Sequence, residues 1–270
     1  MSIKFIPQFK PTQNELNDFT RLFDIFPYQL AKYPKEKAVG IRDGKNWKTY
    51  STQEAVENIN QVSAALLELG LQSGDMVAIL ARGGSPWWNF LDMGMQQIGV
   101  ICVPLHSTAM PAEIGHILKE TETKLCFVEN ATLLKKVKTI REDLPLLEKV
   151  FLIERGFGGE GFEKYLKPVG TSDLEKIEKL KANIQPNDLA TIIYTSGTTG
   201  LPKGVMLSHN NMVSNIKCIL PLVPVDYQKT SFSFLPLSHV YERMVTYSWM
   251  AAGCSVYYST SIEHLSLIHI

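Results

Sequence analysis

A segment rich in glycine and hydroxyl side chains follows an apolar strand pattern and has the residue types that bind a polyphosphate. It reads YTSGTTGLPKG and covers residues 194–204. Its glycines let backbone N–H groups approach a ligand closely, its serine and threonines supply hydroxyl donors, and Lys203 supplies a positive charge. It is not a Walker loop, because no Gly-Lys-Ser/Thr triplet follows a glycine at the required distance. The pattern therefore predicts a different kind of phosphate-binding loop.

A second glycine-rich segment, Gly156–Gly161, fits the GxGxxG spacing of a dinucleotide-binding turn. It follows the apolar run KVFLIE, and Asp173 and Glu178 lie downstream, near where an acid that binds a ribose is sought. The helix that should open at Gly161 is stopped by Pro168 after about two turns, so a surface loop is the better interpretation. An NAD-dependent oxidoreductase that uses this segment remains an alternative function.

Helix and strand patterns alternate along the chain. Ser51 and Glu54 match a capping box, apolar residues follow at spacings of three and four, and Gly70 stands where a helix commonly ends. The run MVAILA at 76–81 predicts a buried strand. Further strands are expected at 100–104, 125–129, 149–154 and 190–195 and within GVMLS, SFSFLP and CSVYYS, and further helices at about 86–98, from 111, and at about 132–142, 209–219 and 240–252. This alternation predicts an α/β fold with parallel sheets flanked by helices.

The composition excludes several classes of protein. The chain has 270 residues, of which 45% are hydrophobic, and its 27 basic and 27 acidic residues balance. A non-specific binder of nucleic acid or of an anionic membrane would need a basic excess. Four cysteines stand far apart without a CxxC pair, which favours reduced thiols over disulfides or a zinc site. With no signal-like or membrane-spanning apolar run, the sequence predicts a soluble, cytoplasmic protein.

Charge is distributed unevenly toward the end of the chain. Residues 171–190 hold seven charged residues in twenty and predict an exposed helix or linker, whereas residues 191–270 hold only seven in eighty. So apolar a segment must pack against other parts of a fold. The sequence stops at HLSLIHI, soon after a predicted strand. An apolar end of this kind predicts a truncated domain.

The loop at 194–204 resembles the signature of the adenylate-forming superfamily, which includes acyl-CoA synthetases, peptide-synthetase adenylation domains and luciferases. The segments 49–80 and 99–129 look like that superfamily's early helix–strand units, and FLPLSHVYERM at 234–244 is similar to its aromatic/histidine motif. The continuation HVYER, and LFDIFPYQLAKYPKEKAV at 22–39, most resemble the long-chain fatty acyl-CoA synthetases. The resemblance implies the incomplete N-terminal domain of the adenylate-forming fold.

This resemblance also implies a two-step ligase reaction. A carboxylate attacks the α-phosphate of ATP to give an acyl-adenylate and pyrophosphate, and the thiol of coenzyme A then displaces AMP. By the resemblance, Thr195 helps hold Mg²⁺, Lys203 neutralises the phosphates, and His239 lies beside the acyl-adenylate. Glu242 and Arg243 are expected to be structural, as an exposed or interlocking charge pair. The residues expected to contact ATP are Thr195, Ser196, Gly197, Thr198, Thr199, Gly200 and Lys203.

The family's second Mg²⁺ ligand, ribose-binding aspartate, hinge and C-terminal lysine have no counterpart before residue 270. We therefore expect the parent protein to be a long-chain fatty acid–CoA ligase and the 270 residues alone to be inactive, with a non-catalytic nucleotide-binding fragment as the alternative. A long-chain substrate would bring peripheral contact with a membrane. Three segments are expected: an N-terminal extension and first segment at 1–45, a first α/β subdomain at 46–185, and the start of a second at 186–270.

Overall fold

The computed structural model describes residues 18–153, 160–195 and 201–259, and these residues form two β-sheets with helices packed around them. The strands are β1 (Val39–Asp43), β2 (Asn46–Tyr50), β3 (Met76–Ala81), β4 (Ile101–His106), β5 (Leu125–Val128), β6 (Lys149–Leu152), β7 (Glu160–Gly161), β8 (Leu189–Thr195), β9 (Lys203–Ser208), β10 (Thr230–Ser233) and β11 (Ser255–Tyr258). The helices are α1 (Ile25–Lys32), α2 (Thr52–Glu68), α3 (Pro86–Gln96), α4 (Pro111–Glu120), α5 (Ala131–Lys138), α6 (Thr171–Asn183), α7 (His209–Ile219) and α8 (Val240–Ala251). The fold class predicted from the alternating pattern is confirmed.

The larger sheet has seven strands in the order β7-β6-β5-β3-β4-β8-β9. All neighbouring strands run parallel except β8 and β9, which are antiparallel. The residues between β8 and β9 are too few for a crossover, which takes a dozen or more, so an antiparallel pair is the available geometry. The chain goes from β3 to β4 on one side and then returns to β5 on the other side of β3. The strand order therefore reverses between β3 and β4, which is where α/β sheets form a crevice at their carboxyl ends.

The smaller sheet joins the two ends of the described chain. Its order is β10-β11-β1-β2, with β1 antiparallel to β2 and parallel to β11. The sequence patterns did not predict β1, β2 or α1.

The division of the chain into three predicted segments remains a prediction. The first boundary, after residue 45, falls between β1 and β2, which pair with each other.

Strand β3 shows how the larger sheet divides two hydrophobic cores. Its side chains alternate, so that Val77 and Ile79 join one core while Ala78 and Leu80 join the other. The core of Ala78 and Leu80 is closed by α4 and α5, and the core of Val77 and Ile79 contains residues from α1, α2, α3, α7, α8 and the smaller sheet. Burial on both faces explains why the strand is a continuous apolar run.

Helix α2 confirms the predicted capping box. The Ser51 hydroxyl accepts from the Glu54 backbone N–H at 3.0 Å, and the Glu54 carboxylate accepts from the Ser51 N–H at 2.7 Å. Gly70 follows the helix with a φ of 86°, in the left-handed region that favours glycine. The charge-rich stretch forms α6, on which only Ile177 is buried. In the described ranges, no helix has both the length and the apolar character needed to cross a membrane.

Candidate functional site

The two ends of the predicted phosphate loop are held by a β-hairpin. Thr195, the last residue of β8, is the cross-strand partner of Lys203, the first residue of β9. Both side chains are exposed, so a hydroxyl and an ammonium group are available at the mouth of the loop. Ser196, Gly197, Thr198, Thr199 and Gly200 lie outside the described residues, and their predicted contacts with ATP stay predictions.

Gly204 serves the packing of this hairpin. A β-carbon at this position would lie 2.8 Å from Ile192 Cγ2 and 3.1 Å from the Tyr194 ring, closer than side-chain atoms pack. The missing side chain therefore lets β9 approach β8 closely. Tyr194 is fixed in turn by α4, because its hydroxyl donates to a carboxylate oxygen of Glu120 at 2.9 Å.

His239 is the N-cap of α8, and its side chain makes no capping hydrogen bond. The imidazole is exposed at the start of a helix, where the first-turn N–H groups carry a partial positive charge. Its ring centroid lies 4.9 Å from that of His106, with the ring planes inclined by 54°. Two imidazoles from distant parts of the sequence thus meet at this point.

His106 was missed by the sequence reasoning. It is the last residue of β4, which runs parallel to β8 with Cys102 aligned with Thr191. His106 and Thr195 each lie four residues beyond that aligned pair, so they end neighbouring strands at the same edge of the sheet. The predicted strand stopped at residue 104. The available signal was a histidine shortly after a buried parallel strand, at the edge where such sheets bind ligands.

The surroundings of His106 determine which of its nitrogens carries a proton. The Thr108 backbone N–H donates to Nδ1 at 3.3 Å, and the Thr108 hydroxyl lies 2.6 Å from the same atom. The pKa of His106 lies below its usual value, first because the ring is partly buried and second because of the neighbouring His239, while Glu113 opposes the shift. At neutral pH the ring is therefore uncharged, with its proton on Nε2.

A fully buried ion pair between Arg243 and Asp92 corrects the prediction made for Arg243. Arg243 was expected to pair with Glu242 or to be exposed, yet its side chain is completely buried and binds Asp92 on α3. Nη2 donates to both carboxylate oxygens, at 2.6 and 2.8 Å, and Nε donates to one of them at 3.2 Å. The Tyr247 hydroxyl also donates to Asp92, and the guanidinium carbon lies 5.3 Å from the Trp88 ring centroid.

Glu242 is also buried, but it points toward the smaller sheet. Its carboxylate accepts from the Ser233 hydroxyl at 2.6 Å, and burial raises its pKa. Glu242 and Arg243 are therefore two separate buried contacts of α8. The interpretation of both residues as structural holds, although the pairing between them does not occur.

The Arg243 contact extends to both strands of the candidate site. Arg243 Nη1 donates to the Thr191 hydroxyl on β8 at 2.8 Å, and that hydroxyl donates to the Cys102 carbonyl on β4 at 2.7 Å. Arg243, Thr191 and Cys102 each lie four residues from a site residue, namely His239, Thr195 and His106. One buried hydrogen-bonded network thus joins the three elements that carry the site.

The described part of the chain offers little that would hold a metal by itself. It contains no cluster of three or more His, Cys, Asp or Glu side chains suited to a metal ion. Thr195 presents one exposed hydroxyl beside the hairpin. Mg²⁺ in nucleotide sites takes most of its ligands from phosphates and water, so one hydroxyl fits an ion that arrives with ATP.

The other glycine-rich segment lacks the helix that a dinucleotide site requires. Glu160–Gly161 forms the short strand β7 beside β6, and Phe162–Tyr165 is a single 3₁₀ turn. Positions 154–159, which hold the first glycines of the GxGxxG pattern, lie outside the described residues. A pyrophosphate site of this type needs a helix N-terminus at this point.

Comparison with known proteins gives the family. The family model described as "AMP-binding enzyme" matches residues 26–269. The long-chain-fatty-acid–CoA ligase heimdall of Drosophila melanogaster is 31% identical over 221 residues, which are 77% of this chain and 32% of that protein. This chain thus spans about a third of the length of that curated relative.

Solved structures agree in fold. A putative long-chain-fatty-acid CoA ligase from Rhodopseudomonas palustris superposes with a TM-score of 0.79 at 20% identity, over 94% of this chain and 61% of that one. The N-terminal domain of FACL13 from Mycobacterium tuberculosis superposes with a TM-score of 0.76 at 18% identity, over 92% and 59%. The fold is that of the N-terminal domain of adenylate-forming enzymes, and the chain belongs to the family of AMP-binding enzymes.

Proposed function

We propose that the protein to which these residues belong activates a fatty acid with ATP and transfers the acyl group to coenzyme A. A carboxylate oxygen attacks the α-phosphorus, the bond to the bridging oxygen of pyrophosphate breaks, and an acyl-adenylate forms. The sulfur of coenzyme A then attacks the acyl carbon, and AMP leaves. A long-chain acid is the proposed substrate class, because the relative at 31% identity carries that name.

The observation that carries this proposal is the hairpin register. It sets Thr195 opposite Lys203 at the mouth of the glycine-rich loop, one strand away from His106 and its neighbour His239. Charge stabilisation and positioning account for most of the catalysis of such displacements. Lys203 would neutralise the β- and γ-phosphates. Thr195 would orient these phosphates together with the Mg²⁺ ion that accompanies the nucleotide. When bound, Mg²⁺ polarises the phosphates.

Nucleotide binding by the 270-residue chain tests the assignment of the loop. Isothermal titration with a non-hydrolysable ATP analogue and Mg²⁺ should show binding to the wild-type chain. Lys203→Ala should weaken it roughly 10- to 100-fold, because a hydrogen bond to a charged group contributes about 1.5–3 kcal/mol. The matched control is Lys179→Ala on the exposed face of α6, which should leave binding unchanged. Equal losses in the two variants would contradict the role of Lys203.

Turnover is a separate test. We propose that residues 1–270 alone do not form acyl-CoA, because the predicted loop would supply phosphate contacts while no ribose-binding acid or second Mg²⁺ ligand is recognised in the sequence. Steady acyl-CoA formation by the purified chain, measured through the release of AMP, would contradict this part of the proposal. Nucleotide binding without turnover is the expected result.

A further inference from the structure

His106 has a geometry that the proposed reaction leaves unexplained. Its Nδ1 is occupied by Thr108, while Nε2 has no hydrogen-bond partner among the described residues. The side chain is partly exposed, and its ring faces that of His239. A histidine fixed through one nitrogen presents the other as a directed N–H donor.

The position of His106 relative to the loop indicates which ligand it would meet. Strand β9, which follows the loop that is proposed to hold the leaving pyrophosphate, lies on one side of β8. His106 ends β4, on the other side of β8. In an in-line displacement, the attacking oxygen and the leaving group lie on opposite sides of the phosphorus. The attacking carboxylate would therefore lie toward the β4 side.

The charges around the two imidazoles also favour an anion. His239 precedes α8 as its N-cap, and the first-turn N–H groups of this helix carry partial positive charge. The acidic side chain of that turn, Glu242, is buried and accepts a hydrogen bond from Ser233. Lys136 of α5 binds the carbonyls of Ser107 and Ala109, immediately after His106. Glu113 of α4, which raises the pKa of His106, is the acidic group that acts against an anion here.

We propose that His106 and His239 form a two-imidazole carboxylate clamp, in which His106 donates a hydrogen bond from Nε2 to the carboxylate of the acid being activated. This inference rests on the proposed function and adds a substrate-contacting residue to it. The clamp holds one carboxylate oxygen so that the other faces the α-phosphorus. No proton moves through His106, because its neutral Nε2–H tautomer is already a donor.

The first test observes the histidines directly. In ¹⁵N–¹H spectra of the 270-residue chain at pH 7.5, His106 should show an unprotonated Nδ1. With the Mg²⁺-bound ATP analogue present, decanoate should shift the His106 and His239 signals, while the buried His209 stays in place. If the nucleotide analogue alone shifts His106 and decanoate adds nothing, the clamp holds phosphate and the carboxylate assignment is wrong.

The second test separates His106 from the phosphate loop. His106→Leu removes the donor and should weaken decanoate binding roughly tenfold, the order expected for a hydrogen bond to a charged group. His106→Gln keeps an N–H donor at nearly the same reach and should restore most of the affinity. His116→Gln, at a partly exposed position of α4 beside Glu120, is the matched histidine control and should leave decanoate binding unchanged.

The outcomes distinguish this inference from the proposed function. If His106→Leu binds decanoate as the wild type does while Lys203→Ala loses the nucleotide, the clamp is wrong and the phosphate loop stands. If the wild-type chain binds neither ligand, the proposed function and the clamp fail together. A His106→Gln variant as weak as His106→Leu, with both folded by near-UV circular dichroism, would likewise overturn the donor role.

Discussion

Replacing Asp92 by Asn should destabilise the chain by about 3–5 kcal/mol, because it leaves the Arg243 charge buried without a counter-ion. Both side chains are completely buried, and Asp92 accepts three hydrogen bonds from Arg243 and one from Tyr247. Asn keeps one acceptor oxygen and turns an N–H donor toward the guanidinium. The loss is a large part of the 5–15 kcal/mol that stabilises a typical domain.

Urea unfolding followed by tryptophan fluorescence measures this effect. Trp88, one of the four tryptophans, lies against Arg243, so part of the emission comes from the network itself. The matched control is Asp173→Asn on the exposed α6, which should change the free energy of unfolding by less than about 0.5 kcal/mol. The double variant Asp92→Leu/Arg243→Met removes both charges and should recover at least about 2 kcal/mol relative to Asp92→Asn.

Two results would refute this reasoning. If Asp92→Asn lies within about 1 kcal/mol of the wild type, the pair is not an isolated buried ion pair of the kind described. If the double variant is as unstable as Asp92→Asn, the loss comes from packing and hydroxyl contacts of Tyr247 and Thr191 and not from the unpaired charge.

Further predictions concern stability. Burial lowers the pKa of His209 to about 4. The unfolded chain therefore binds a proton at this residue near pH 6.5, whereas the folded chain binds it only near pH 4. Stability should therefore be complete above pH 6.5 and fall by about 3 kcal/mol as the pH drops toward 4, and urea midpoints of His209→Gln should lack this acid limb. Gly84→Ala should cost about 1–3 kcal/mol in the same assay, because its β-carbon would lie 2.6 Å from Tyr258 Cδ1. Gly115 lies in helix α4, and a β-carbon there would meet no atom closer than 3.6 Å. Gly115→Ala should therefore stabilise the chain by up to about 1 kcal/mol, and a lower free energy of unfolding would contradict the packing argument. Ser51→Ala should cost about 1 kcal/mol through loss of the α2 cap, and an unchanged thermal midpoint would contradict it.

Elements with a strong local signal could be predicted from the sequence. The capping box at Ser51, the strand at 76–81 and the helix expected at about 86–98 are each specified by nearby residues, and the structure has all three. Strands β1 and β2 could not be found in this way. Strand β1 pairs with β11, through Val39 and Val256, and among the described strands β2 pairs only with β1, at the edge of the sheet. No short segment of sequence contains the pairing with β11.

The candidate site shows the same division. Thr195 and Lys203 could be predicted as site residues because the loop pattern is local, whereas the His106–His239 contact joins residues from two distant segments. Arg243 was seen as part of a charged pair, but its partner Asp92 stands within an apolar helix pattern 151 residues away. The sequence alone does not show that Asp92 is a buried ion-pair partner, because only the fold brings Arg243 next to it.

The pairing of β1 with β11 has a consequence for synthesis on the ribosome. Val39 leaves the ribosome long before its partner Val256 has been made. At about 5–20 residues per second, that interval lasts roughly 10–40 s. During this time β1 and β2 are at most an isolated two-stranded hairpin, which is marginally stable in water, and their apolar side chains have no sheet to join. The nascent chain is therefore exposed to aggregation or chaperone binding until β11 emerges, and the smaller sheet is among the last parts of these residues to form.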